Sequence, residues 1–230
     1  MKTIISGYVM ENKLINIQII LNGNFEPFSA EPNNILEIST LLNEFHLFPK
    51  EVTEQRIEFT SNQGQNITLT KSLELVSANQ QNILQVRPDM LVYNTNIDTS
   101  ISLSNTFDIF IRILEKIKIK VKFDRAYRLG LVQTIQYLDA DIENYKIENS
   151  LSDEIIEHRN RIVIRQPLNE ISELVNYVKA TDFISKEAGA PQNILNHSLD
   201  INTLSDKDAA RFTITDIKNF FSGAKKLLEG

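Results

Sequence analysis

Six cations, Lys116, Lys118, Lys120, Lys122, Arg125 and Arg128, fall within a thirteen-residue stretch that holds one acid, Asp124. The lysines alternate with Ile117, Ile119, Val121 and Phe123, so an extended chain here has one cationic and one apolar face. Such a cationic face can hold phosphates or an acidic protein. The same pattern also guards an edge strand against pairing with another chain. Phe123 falls on the opposite face and only Tyr127 lies near, so the lysine face lacks rings on which bases could stack. Two acidic pairs bear on metal chemistry. Asp139 and Asp141 have strand spacing and could share a divalent ion if a third carboxylate converged on them; otherwise they mark a solvated strand end. Glu154 and His158 are four apart beside Glu157, which suits two ligands on a helix. His46 and His197 are remote in sequence, and a dedicated site takes three or four ligands, so a solvated Glu–His pair is the simpler reading.

Nucleophilic and phosphate-binding signatures are missing. No Gly-x-Ser-x-Gly occurs, and Ser222-Gly223 follows Phe220 and Phe221 in a helical pattern, the wrong context for an exposed nucleophile. With seven glycines there is little material for a phosphate-cradling loop. A Glu-x-Lys nuclease triplet is missed by one residue at both Glu115-Lys116 and Glu143 to Lys146. The absence of cysteine excludes disulfides, thiolate metal sites and cysteine nucleophiles. These residues imply neither a catalytic set nor a cofactor.

The elements that must carry these side chains read as an α+β protein. Phe107, Phe110, Ile111, Leu114 and Ile117 make one stripe of a long central amphipathic helix laid on an antiparallel sheet, with Ser104 or Asn105 as its cap and Asp108 in its first turn. The lysine strand follows, then a second alternating strand through Tyr127, Leu129, Leu131, Gln133, Ile135 and Tyr137. Lys2 to Met10 and Leu14 to Leu21 read as a hairpin, with Ile15, Ile17, Ile19 and Leu21 on its core face. Asn34 with Glu37 resembles a capping box for a short helix that ends before Pro49. From Gln55 to Asn94 short alternating runs and polar turns describe an antiparallel meander.

Past Leu138 an acidic connector follows; Asp139 to Glu157 holds seven acids and one base, Lys146. A short helix is expected over Asp153 to His158, and a strand over Arg161 to Arg165 with Ile162 and Ile164 inward. Pro167 opens a helix through Val178, and His197 to Asn202 is a strand. A helix capped by Thr215 buries Ile217, Phe220, Phe221, Ala224, Leu227 and Leu228, with Gly223 suggesting a close neighbour. The division is 1–148, a β-sheet with packed helices, and 149–230, a smaller α+β half packed on it. Asn82-Ile83-Leu84 and Asn193-Ile194-Leu195 each precede a helix beginning Asp-Ile (Asp108-Ile109 and Asp216-Ile217), which suggests two similar halves.

The chain of 230 residues is 42% apolar and 23% charged, as in ordinary soluble globular proteins, and no run approaches the ~20 apolar residues of a membrane span. Ser6, Gly7 and Glu11 interrupt any export-signal core, so the first residues read as a strand and cytoplasm is expected. A net charge of −6 argues against a coat for nucleic acid. Abundant Ile and Asn with scarce Gly resemble AT-rich bacterial or phage coding.

The strand Arg128-Leu129-Gly130-Leu131, leaving a helix and followed by Ile135, resembles a segment of an uncharacterised bacterial family. Its members place an Arg-x-Gly-Leu-Arg-Tyr-Ile-Asn-type strand after a central helix, and a late strand ending near Asp-x-Asp before a terminal helix. Here Val132-Gln133-Thr134-Ile135 departs from the first pattern, and Leu199-Asp200-Ile201-Asn202 half meets the second. The resemblance implies an accessory, complex-forming role of the kind encoded in mobile or antiviral-defence operons, and no catalytic residues. The leading expectation is a non-enzymatic cytoplasmic protein that binds another protein, as a complex subunit, antitoxin or immunity-like factor. The second is contact with nucleic acid through Lys116 to Arg128. The third is a hydrolase with a metal held near Asp139 and Asp141.

Overall fold

The computed structural model describes residues 4–5, 8–9, 13–59, 65–97, 103–140, 142–205 and 209–229. In chain order the elements are β1 (Ile4–Ile5), β2 (Tyr8–Val9), β3 (Lys13–Gly23), α1 (Pro32–Leu42), β4 (Leu47–Phe59), β5 (Gln65–Ser77), β6 (Asn82–Val86) and β7 (Met90–Ile97). They continue with α2 (Leu103–Ile117), β8 (Ala126–Leu138), α3 (Ile142–Glu148), β9 (Glu157–Leu168), β10 (Glu173–Ile184), β11 (Ile194–Thr203) and α4 (Ile214–Glu229). Nine strands form one antiparallel sheet in the order β4-β5-β6-β7-β3-β8-β11-β10-β9. The fold is α+β with a C-terminal helix, as the sequence implies. Its central helix is not long: α2 has 15 residues and α4 has 16.

Both halves follow one plan. β3 and β8 are the adjacent antiparallel centre, with Ile19 opposite Leu131. Each runs into a helix, after which the strands return from an outer edge toward the centre, β4 to β7 on one side and β9 to β11 on the other. Each half then ends in a helix, α2 or α4. The 149–230 segment thus contributes its strands to the same sheet. The three-residue repeat does not mark equivalent places: Asn82 to Leu84 lies in β6, two strands from β3, whereas Ile194 and Leu195 lie in β11, next to β8.

Strand alternation puts the core on one face. Ile17, Ile19 and Leu21 of β3, Leu91 and Tyr93 of β7, Leu129 and Leu131 of β8 and Ile201 of β11 are buried in the main core cluster. Over them lie Phe107, Phe110, Ile113, Leu114 and Ile117 of α2 and Ile217, Phe220, Phe221 and Ala224 of α4. The Phe107 and Phe221 rings stack at 4.7 Å, and Phe110 meets Phe221 edge-on at 5.8 Å. Gly223 has the close neighbour its sequence position suggests. A Cβ there would stand 2.6 Å from Glu170 Oε2 and 2.7 Å from Leu168 Cδ1, so α4 packs tightly on the 3-10 turn Asn169–Ile171. A second, smaller core gathers Tyr137, Phe183 and Leu195 under Tyr145 of α3.

Several local expectations are corrected. β1 and β2 pair with each other, and β3 takes β7 and β8 as partners, so the N-terminal hairpin does not form. α1 begins at Pro32 without a side-chain cap, and Asn34 Nδ2 donates to the Ser29 carbonyl at 2.7 Å instead. Pro49 lies inside β4, an edge strand, where a missing N–H is tolerated. Ser104 and Asn105 lie within the first turn of α2. The segment after Pro167 is β10, not a helix, because Val175, Tyr177 and Phe183 share one strand face with the core. Thr213, two residues before Thr215, caps α4: Asp216 Oδ2 accepts from Thr213 N at 2.8 Å, and Asp216 N donates to Thr213 Oγ1 at 3.3 Å.

Candidate functional site

The lysine stretch is not a strand. α2 reaches Ile117, and the chain then turns through Lys118 to Lys122. Phe123 N donates to Lys118 O at 2.8 Å and Lys122 N to Ile119 O at 3.3 Å, with Lys122 at φ 51°. That is the bond pair of a Schellman stop, with a left-handed lysine in the position glycine usually takes. Ile117 and Val121, four apart, are buried, Phe123 is tucked under, and Ile119 is 82% exposed. Helical spacing therefore governs the burial, and the two-residue alternation is coincidental.

The six cations do not share one surface either. Lys116 Nζ lies 2.5 Å from Glu44, Lys122 Nζ 2.6 Å from Glu26, and Lys120 pairs with Glu37. Lys116, with Arg112 beside it, holds the Glu44 carboxyl below its ordinary range, chiefly through its hydrogen bond. Lys118 lines a shallow cavity with Asp124 and Thr213, and Arg125 is exposed before β8. Arg128 is on the other side of the sheet, where its Nη2 donates to Asn202 Oδ1 at 3.0 Å and its Nε to Thr203 O at 3.2 Å. It ties β8 to β11.

The acidic pairs are also resolved into separate places. Asp139 is exposed in a turn after β8, at φ 53°; Asp141 lies outside the described residues. No helix covers Asp153 to His158. His158 belongs to β9, and its Nδ1 meets Tyr145 Oη at 2.9 Å, so it does not face Glu154 as a ligand pair. Among the described residues no three His, Asp or Glu side chains converge as a metal site would require. No helix among them is long and apolar enough to cross a membrane.

A cleft of about 330 Å³ opens between α2, the start of β4 and β7. Inside it Asn82 Oδ1 accepts from Thr95 Oγ1 at 2.6 Å and Tyr93 Oη at 3.2 Å. Burial pushes the Tyr93 hydroxyl up to about 12, so it stays a donor at neutral pH and is no base. Arg112 and Glu44 close the mouth as an ion pair of 2.5 Å.

His197 sits in a polar-poor setting on β11. Its Nδ1 meets Thr181 Oγ1 at 3.0 Å, Tyr137 packs edge-on at 5.7 Å, and Nε2 has no hydrogen-bond partner. Burial lowers its pKa from 6.5. The folded chain then resists a proton that the unfolded chain accepts, so stability falls as pH drops below about 6.5. The slope reaches at most about 1.4 kcal/mol per pH unit for one proton. Thermal melts from pH 7.5 to 5.5 should show a smaller drop in Tm for His197→Gln than for the native chain. Equal drops would remove His197 as the cause.

The two sides of the sheet differ. The four described α-helices lie on the core face. On the other face, across β7, β3, β8 and β11, stand mostly amides and hydroxyls that bond across strands. Asn16 pairs with Asn96 at 2.9 Å, Gln18 with Asn94 at 3.0 Å, Gln136 with Asn196 at 3.0 Å and Thr134 with Ser198 at 3.1 Å. These groups satisfy one another, as a solvated sheet face requires. The outer edge at β9 is different. Ile162, Val163 and Ile164 are 51%, 48% and 43% exposed, and Leu174 on β10 is 45% exposed; Ile162 and Ile164 fall on the core side by alternation, but they are not buried as the inward reading expects. α4 packs on the Asn169–Ile171 turn and on Leu168 at the end of β9, and its Leu227 carbonyl accepts from Tyr177 Oη of β10 at 3.3 Å. The sequence reading missed this edge because Arg-Ile-Val-Ile-Arg reads equally as an interior strand; the flanking arginines were the available signal.

No family model matches the chain, and no curated protein or solved structure matches it.

Proposed function

We propose that this protein is a non-enzymatic, cytoplasmic protein-binding subunit that engages its partner along β9. The observation that carries the reading is the edge itself. β9 is a twelve-residue strand whose one neighbour among the described residues is β10, and its middle exposes three consecutive β-branched side chains. Natural edges are normally short, covered, or broken by proline and bulges, because a bare edge recruits another strand. Both edge strands carry a proline near one end, Pro49 in β4 and Pro167 in β9, but β4 packs beside α1 whereas the middle of β9 is exposed. An uncovered edge with an exposed apolar middle, in a chain with a well-built core, suits a strand-addition interface. The resemblance to accessory, complex-forming bacterial proteins points the same way. Contact with nucleic acid through the basic stretch has less support, since Lys116, Lys120 and Lys122 already neutralise acids of this chain.

The test is a double substitution, Ile162→Lys with Ile164→Lys, in a tagged protein isolated from its native cells after mild crosslinking. Both side chains are half exposed, so the fold should melt within a few degrees of the native chain. The co-isolated partner should disappear. A partner retained by this variant, or none captured by the native protein, would overturn the reading.

A further inference from the structure

The partner's chemistry can be taken further, resting on the β9 reading above. We infer that β9 accepts an extended segment of another protein in which an apolar centre is flanked by two acids four residues apart. Alternation places Arg161, Val163 and Arg165 on the uncovered sheet face, and Ile162 and Ile164 on the helix-bearing side. An antiparallel strand laid on this edge sets one residue opposite each of these five. Opposite Arg161 and Arg165 it needs negative charge, and opposite the three between them it needs apolar side chains.

Charge is the discriminating observation. The protein carries net charge −6, and many of its cations are already spent. Arg159 pairs with Asp182 at 3.0 Å, Arg211 with Glu173 at 3.2 Å, and Lys226 with Glu170 at 2.6 Å. Arg161 has no described partner, and Arg165 reaches only the neutral amide of Asn176, at 3.4 Å. Two uncompensated guanidinium groups thus flank Val163 on the uncovered face, while Ile162 and Ile164 are exposed on the other side of the same edge. They leave the edge open to an acidic strand and closed to a basic one.

The same brackets disfavour a second copy of this chain. The register that lays the triplet on itself pairs Val163 with Val163 of the other copy. It also sets Arg161 opposite Arg165 at both ends, and like charges directly opposite are destabilising. A foreign strand of the form acid, three apolar residues, acid removes that repulsion and supplies two ion pairs.

The probe is a fluorescein-labelled peptide carrying Glu-Ile-Val-Ile-Glu between short Gly-Ser tails, titrated with the full chain and read by anisotropy. A peptide with Lys in both acidic positions and one with alternate backbone nitrogens methylated serve as comparisons. The native protein should bind the acidic peptide at least tenfold more tightly than either. Arg161→Glu with Arg165→Glu should weaken that binding about tenfold to a hundredfold, more at low salt, and should transfer preference to the lysine peptide. Equal binding of the acidic and basic peptides, or indifference to methylation, overturns the inference. So does a native dimer dispersed by the Ile162→Lys, Ile164→Lys pair, which would assign the edge to a second copy. If that pair loses the natural partner while no acidic peptide binds, the partner chemistry falls and the edge reading stands; if the natural partner is kept, the edge reading itself falls.

Discussion

Val121→Lys should leave the protein largely unfolded at 25 °C, while Ile119→Lys should change its stability by less than about 0.5 kcal/mol. The two residues are neighbours of one type in one basic run, and a strand would bury both. In the helical turn that closes α2, Val121 is fully buried and Ile119 is 82% exposed. Val121 N bonds back to Ile117 O at 3.0 Å, and its carbonyl accepts from Glu26 N at 2.9 Å. An ammonium at that position would be carried into the packing beside the stacked Phe25 and Phe123 rings, 5.7 Å apart. An unpaired charge so placed costs several kcal/mol, a large share of the 5–15 kcal/mol that holds a domain together. Urea melts followed by circular dichroism would check it. Similar losses from both substitutions would restore the strand reading.

Phe110→Ala should cost about 3–5 kcal/mol, again by urea melting. Phe110 is fully buried where α2, α4 and β7 meet, with Tyr93 at 5.8 Å on one side and Phe221 at 5.8 Å on the other. Its loss removes transfer free energy and leaves a cavity between elements that cannot collapse, because the sheet fixes the spacing of both helices. Phe110→Leu should recover more than half of that loss by refilling most of the space. A cost below about 1 kcal/mol for the alanine variant would mean that the helices are not seated on the sheet as described.

How far each part was legible depends on the range of the forces that set it. Burial by alternation and by three-and-four spacing is local, so the α2 stripe at Phe107, Phe110, Ile111, Leu114 and Ile117 could be read directly. The same holds for the β3 face at Ile17, Ile19 and Leu21, the meander from β4 to β7, and the core face of α4. Where a short run satisfies two periods, the sequence was ambiguous. Lys116 to Phe123 alternates, yet Ile117 and Val121 also sit four apart, and Glu26, Glu37 and Glu44 lie too far away in sequence to show which lysines they would hold. Pro167 has a comparable history: proline opens helices and also ends edge strands, and the pairing of β9 with β10 decided the case.

Sequence by itself determined the α+β class, the apolar faces of α2, α4 and the central strands, and the lack of cysteine chemistry. These depend on residue types and spacing within one element. Tertiary structure alone decided the order of the nine strands, the pairing of Lys116, Lys120 and Lys122 with glutamates, the rejection of a Glu154–His158 pair and the exposure of β9. Each of those depends on which distant segment arrives alongside. For β9 the reason lies in the architecture: α4 packs against its Leu168 end, and no described strand follows on its outer side, so Ile162, Val163 and Ile164 are left about half exposed with Arg161 and Arg165 beside them.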